Sequence, residues 1–175
     1  MLTRNFYTAL YTCMTKQTLE NAIATTTNNA QNSSLDSPTY GTANYPNNVL
    51  QCFFSKTVCT ANSPNVNSVA FGTGNTPPSL SDYWLSGNLI TDIAIVGQGI
   101  TRANTDGGVS FTSKLTVENT GSDTIVINEM AIIALCYKGG NSTGPAMLDR
   151  TVLDTPLTLA PGEQGTIDYK INLPF

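Results

Sequence analysis

The sequence predicts an all-β fold: an antiparallel β-sandwich of immunoglobulin-like or jelly-roll type, with an N-terminal helix and an extended arm. Three observations predict it. Between Val109 and Glu118, Val109, Phe111, Leu115 and Val117 alternate with Ser110, Thr112, Lys114, Thr116 and Glu118. Such a period of two marks a half-buried strand. The closing run repeats the pattern, with Ile167, Tyr169, Ile171 and Leu173 set against Thr166, Asp168, Lys170 and Asn172. Between Val49 and Phe175 about eight short strand-like runs are separated by Gly, Pro, Asn and Asp turn residues, the grammar of a sandwich.

In chain order, Leu2, Phe6, Ala9, Leu10, Cys13 and Met14 recur at roughly helical spacing and predict a short amphipathic helix over about Thr3–Thr15. Ala24–Asn48 is nearly all Thr, Asn, Ser, Ala, Gly and Pro, with Asp36 its only charge. That composition cannot bury enough apolar surface to order itself. The expected division is therefore 1–48, helix and Thr/Asn-rich arm, and 49–175, the β-sandwich domain.

Val49–Thr60 reads as one or two strands and Val66–Phe71 as another, ending in the FGTG turn. Pro77-Pro78 forces extended backbone, and Ser79–Leu85 suits a one-turn helix or an Asx-type turn. Leu89–Val96 is apolar on both faces and predicts a central strand. Asp106-Gly107 is the strongest hairpin signal in the chain. Asn119–Ser122 is turn chemistry, so Val109–Glu118 and the run from Thr124 through Ile127 read as a hairpin, continued by an apolar strand over Ala131–Tyr137. Gly139–Pro145 reads as a surface loop. Met147–Leu153 and Leu157–Leu159 read as short strands broken at Pro156, and Ala160–Glu163 as a tight turn. In the last strand Tyr169 and Ile171 should lie inside.

The composition narrows function more than it defines it. Of 175 residues 11% are charged, against about 25% in ordinary domains, and 26 Thr and 18 Asn supply the polarity instead. Eight scattered Lys and Arg, with a net charge of −4, make no phosphate-binding patch, so no nucleic-acid partner is expected. No apolar run is long enough to cross a membrane as a helix. The start has no signal-peptide h-region, so use without Sec-type export is expected. With no His, the commonest general base and metal ligand is missing.

No catalytic, cofactor or metal site is expected. A carboxylate pair could come from Asp82, Asp92, Glu118, Glu129, Asp149 or Asp154, but nothing in the sequence pairs any two; most of these read as caps, turn residues or strand-surface charges. Gly72, Gly74, Gly97 and Gly99 read as turns rather than a phosphate loop. Cys13, Cys52, Cys59 and Cys136 fit no zinc spacing and read as small buried hydrophobes, although Cys52 and Cys59 could face each other across a hairpin. Tyr83 and Trp84 are either a plug in the core or an aromatic surface for a partner or a sugar.

Three stretches carry a resemblance: MLTRNFY at the start, VAFGTGNTPPSLSDYWL at Val69–Leu85, and MLDRTVLDTPLTLAPGEQGTIDYKINL at Met147–Leu173. The chain resembles a family of small β-sandwich virion structural proteins of tailed bacteriophages. The resemblance implies a structural protein of the virion, assembled in the host cytoplasm. Its job would be capsid decoration or cementing, or that of a minor head protein. The alternative is a fibre-, neck- or tail-associated module that binds a host glycan or receptor through Tyr83, Trp84 and the Gly139–Pro145 loop. The expected partners are further copies of the chain in a homo-oligomer such as a trimer, and a capsid or connector protein. The N-terminal arm would dock through Leu2, Phe6, Leu10, Leu35, Tyr40 and Tyr45, because ordering it costs roughly 1–2 kcal/mol per residue, which a partner surface must offset.

Overall fold

A computed structural model describes residues 22–23, 34–35, 55–60, 67–105, 108–138 and 142–174. The described residues are all-β, with no helix among them. The strands are β1 (Ala22–Ile23), β2 (Ser34–Leu35), β3 (Ser68–Gly72), β4 (Ile93–Thr105), β5 (Gly108–Asn119), β6 (Ile125–Lys138), β7 (Ser142–Leu159) and β8 (Gln164–Pro174). β1 and β2 form a two-residue antiparallel ladder, Ala22 opposite Leu35. The rest form two antiparallel three-stranded sheets, ordered β3-β6-β7 and β4-β5-β8. The described residues divide into two compact units, one within Met1–Thr91 and Ile127–Pro156, the other within Asp92–Val126 and Leu157–Phe175. The expected helix and the arm anchors Leu2, Phe6, Leu10, Tyr40 and Tyr45 lie outside the described residues, as does Cys52; Leu35 falls in β2.

In the first unit β6 is the central strand. Its run from Met130 to Ala134 is buried without a break, as a strand covered on both faces requires. β3 pairs with it from Ser68↔Ile133 to Gly72↔Glu129 and is likewise buried throughout. Cys59, Ala70, Leu85, Ala131, Ile133 and Met147 form one apolar cluster, with Trp84 and Leu89 packed against it. Residues 55–60 meet β3 through one parallel bridge, Val58↔Val69, rather than through the regular strand expected there.

In the second unit β5 lies between β4 and β8. The β4–β5 ladder closes at Thr105↔Gly108, leaving Asp106-Gly107 between the strands where the hairpin is expected. Ile93, Leu115, Val117, Leu159, Ile167 and Tyr169 are its buried apolar residues, while Asp168 and Lys170 are exposed. The Ala160–Glu163 turn forms as read: Glu163 N–H donates to Ala160 O (2.9 Å), and Gly162 takes a φ of 73°, which needs glycine behind Pro161.

Six expectations change. β5 and β6 are consecutive but not a hairpin: both edges of β5 are already taken by β4 and β8, so β6 joins the other sheet. The turn between them is fixed by Asn119, fully buried, whose Nδ2 donates to Asp123 O (2.7 Å) and Leu159 O (3.0 Å). β4 is an edge strand, not a central one, and begins at Ile93. Leu89 and Ile90 precede the strand, and Val96, which sits at a bulge between Ile95↔Val117 and Gly97↔Thr116, is exposed, so Leu89–Val96 is not a run buried on both faces. Gly97 and Gly99 therefore sit in a strand, not in turns. β7 runs unbroken through Pro145 and Pro156, which an edge strand tolerates because the missing N–H need not face the ladder. It also takes in Ser142–Pro145 from the expected loop. Finally, burial fades along β8, so Ile171 is half-buried rather than inside.

That gradient sets a test. Ile167→Asp buries an unpaired carboxylate and should cost on the order of 3 kcal/mol or more, Ile171→Asp less than half of that, and exchanging Asp168 with Lys170 almost nothing. Urea-unfolding midpoints should rank in that order.

Candidate functional site

The most developed polar arrangement lies in the first unit, where β6 and β7 each place a charge inside. Glu129 continues the inward row of Ile127, Ala131 and Ile133 on β6, and it is fully buried. Arg150 on β7 is 1% exposed and is among the largest fully buried side chains. A buried charge is tolerated only when it is paired and hydrogen-bonded, and here both conditions hold. Arg150 Nε donates to Glu129 Oε2 (2.6 Å), and Nη1 to Asp82 Oδ2 (2.7 Å). Nη2 donates to Thr76 O (2.7 Å) and Ser86 Oγ (2.6 Å).

Among the described residues, one loop, Thr73–Asn88, meets this pair from outside the strands at Gly74, Thr76, Asp82, Ser86 and Gly87. Glu129 Oε1 accepts the N–H groups of Gly74 (2.9 Å) and Gly87 (2.8 Å), and Oε2 accepts Ser86 N–H (3.0 Å) and Ser86 Oγ–H (3.2 Å). The neck is closed by Thr73 N–H to Asn88 O (3.1 Å) and Asn88 N–H to Thr73 Oγ1 (3.1 Å), with Asn128 Nδ2 donating to Thr73 O (2.7 Å). Gly74 and Gly87 touch backbone to backbone there. A Cβ on Gly74 would overlap Ser86 Oγ and Glu129 Oε1, and one on Gly87 would overlap Gly74 N. This is a compact surface loop with its ends together, an Ω-loop by its form.

At the loop's tip Asp82 does two jobs. Its Oδ2 accepts Ser79 N–H (2.9 Å), while its own N–H returns to Ser79 O (3.1 Å). Ser79–Asp82 is thus a β-turn closed by the Asp82 side chain, neither the Asx-type turn nor the one-turn helix expected over Ser79–Leu85. Pro77, Ser79, Leu80 and Ser81 face solvent, and Leu80 is 56% exposed. The tip is held rigidly from below and shows a neutral surface above.

The electrostatics favour the charged pair. Burial by itself would raise the Glu129 carboxyl, but the Ser86 amide, the Arg150 guanidinium and the Gly87 amide together hold it below its ordinary value of 4.5. Burial would likewise lower Arg150, and its bonds to Asp82 and Glu129 push it up instead. Glu129 gives both oxygens to donors of the protein, so the cluster is built to hold the loop.

The sequence names Asp82 and Glu129 without pairing them; Arg150, which it does not single out, brings them together. Glu129 and Asp149, read as caps, turn residues or strand-surface charges, are instead buried, Asp149 with 2% exposure. The readable signal was a charge at an inward position, Glu129 in the row Ile127, Ala131, Ile133. Asp92 and Asp154 are exposed, and Glu118 accepts Gln164 Nε2 on the strand surface (2.7 Å). Trp84 is half-buried against the apolar cluster and Tyr83 is half-buried beside it in sequence. Comparison of the chain with protein-family models, curated proteins and solved structures gives no match.

Three outcomes are expected. Arg150→Met strands Glu129 as an uncompensated buried charge and should cost about 3–5 kcal/mol. The double variant Arg150→Met with Glu129→Gln should cost less than the two single changes added, a coupling read from a double-mutant cycle. Because the folded carboxyl sits below its unfolded value, Glu129 binds a proton more readily in the unfolded chain. Its contribution to stability is present above about pH 4.5 and is lost as the pH falls through the lower folded value. Glu129→Gln should flatten the acid limb of stability against pH, measured by denaturant titration at stepped pH.

Proposed function

We propose that the protein is a structural component of a tailed-phage virion that acts by packing against other subunits, as a capsid decoration or cement protein or a minor head protein. The observation that carries this reading is the clamped Thr73–Asn88 loop. One buried Arg, one buried Glu and one partly exposed Asp are joined to each other and to the loop backbone, so their chemistry is directed at shape. A pre-organised loop loses little entropy when it meets a partner. Its neutral tip and the 11% charge of the whole chain suit close contact between many copies without strong repulsion. The fold that goes with this reading is the antiparallel sandwich of immunoglobulin-like or jelly-roll type, and the N-terminal 1–48 segment is the arm that docks on a neighbouring subunit.

The experiment is to count the protein in purified particles by mass spectrometry with calibrated peptides, in parallel for the full chain and for a chain lacking residues 1–48. Hundreds of copies of the full chain, and loss of the shortened one from particles, are expected. A few copies, or a few dozen, would move the reading to a fibre, neck or tail module, for which Tyr83 and Trp84 would be tested as glycan contacts. Absence of the full chain from particles overturns both readings. Normal incorporation of the shortened chain removes the arm from the account.

A further inference from the structure

The four outer edges of the two sheets are not equally guarded. An open edge invites pairing with another strand, and proteins blunt it with charges, prolines, bulges or cover. β3 is covered at Val69, where Val69 N–H donates to Thr57 O and Cys59 N–H to Val69 O (both 2.8 Å). β7 carries Pro145, Pro156, Asp149, Arg150 and Asp154. β8 shows Asp168 and Lys170 to solvent and ends at Pro174. β4 has no proline and a single charge, Arg102.

The bulge at Val96 guards only the start of β4. From Gly97↔Thr116 to Thr105↔Gly108 its nine residues pair with β5 in unbroken register, a straight edge of about 30 Å. Alternate N–H and C=O groups of such a strand point away from its one partner, and among the described residues no other strand meets them. Every residue from Gly99 to Asn104 is exposed, including Ile100 at 53%. The register puts Ile100 in one row with Ser113 and Tyr169, and Arg102 in one row with Phe111 and Ile171. Phe111 and Ile171 are both half-buried, so the apolar face of this sheet thins out toward the same open edge.

We propose that a second copy of this chain docks on this edge by antiparallel pairing of the two Gly97–Thr105 segments, giving a continuous sheet ordered β8-β5-β4-β4-β5-β8. The proposal deepens the packing reading above and rests on it. The chemistry that complements an open strand edge is another open edge. A two-fold axis lets one strand complement itself. Charge permits it: only the register centred on Arg102 sets the two guanidinium groups directly opposite each other. Registers centred on Ile100, Thr101 or Ala103 place each opposite neutral Gln98, Ile100 or Asn104. The guarded edges β7 and β8 have several charges to accommodate in the same operation.

The test is sedimentation equilibrium of the full-length protein over a range of concentrations. Wild type should self-associate. The double variant Ile100→Lys with Thr101→Lys loads the edge with charge and should raise the dissociation constant at least about tenfold. Its circular dichroism should be unchanged, since both sites are exposed. Val126→Lys, one Lys at an exposed position off this edge, should leave it unaltered. Amide exchange in wild-type Gly97–Thr105 should slow as concentration rises, a readout that needs no variant. A monomeric wild type, or a double variant that associates as tightly as wild type, overturns the proposal. If the double variant still associates and the full chain is abundant in particles, the packing reading stands and the β4 edge is rejected. If the edge pairs as expected but the protein is missing from particles, the packing reading falls and the edge remains.

Discussion

The first unit depends on one constraint: Arg150 and Glu129 are charged groups with almost no access to water. Neither can be left bare, because an unpaired buried charge costs several kcal/mol. The strands supply the ion pair but not enough further partners. Gly74, Thr76, Asp82, Ser86 and Gly87 supply the rest, and all lie in one loop. The shape of Thr73–Asn88 therefore follows from the need to satisfy two charges. The glycines follow from the shape, since backbone meets backbone where Gly74 and Gly87 touch. A hydrophobic pair at 129 and 150 could fill the same volume, but it would set no condition on where the loop runs.

The second unit solves a different problem with a neutral group. Asn119 sits at the end of β5, fully buried. Its backbone bonds to Glu163 and Gly162, while its side chain holds Asp123, Leu159 and Gly121. It joins the turn after β5 to the turn before β8. Such a residue reads in sequence as ordinary turn chemistry, and that is why the chain's passage from one sheet to the other after β5 was not legible.

What could be read was local. The alternation around Leu115 and Val117, the β4–β5 hairpin pairing and the Pro161-Gly162 turn depend on neighbours in the chain, and the structure shows each. What could not be read was pairing at a distance. The partners of β5 are fixed by which edges remain open, and the side chain of Glu129 is satisfied by amides more than forty residues away in sequence. Arg150 is the clearest case. It stands beside Asp149 in a stretch that looks like a strand surface, and only the third dimension shows it reaching Asp82, Ser86 and Glu129. The Leu89–Val96 run misled for a physical reason too, because Leu89 and Ile90 lie before the strand and Val96 faces solvent, so apolar residues on both faces did not mean burial on both.

A buried charge pair fixes a surface loop in one shape, and the amides of Gly74, Ser86 and Gly87 report on it directly. Their hydrogen-exchange rates in the wild-type protein are the measurement to make. If Glu129 holds them, they should be protected to a degree comparable with β3–β6 ladder amides such as Ile132, although they lie in a loop. Exchange near the rate of an open, solvated loop would contradict the account.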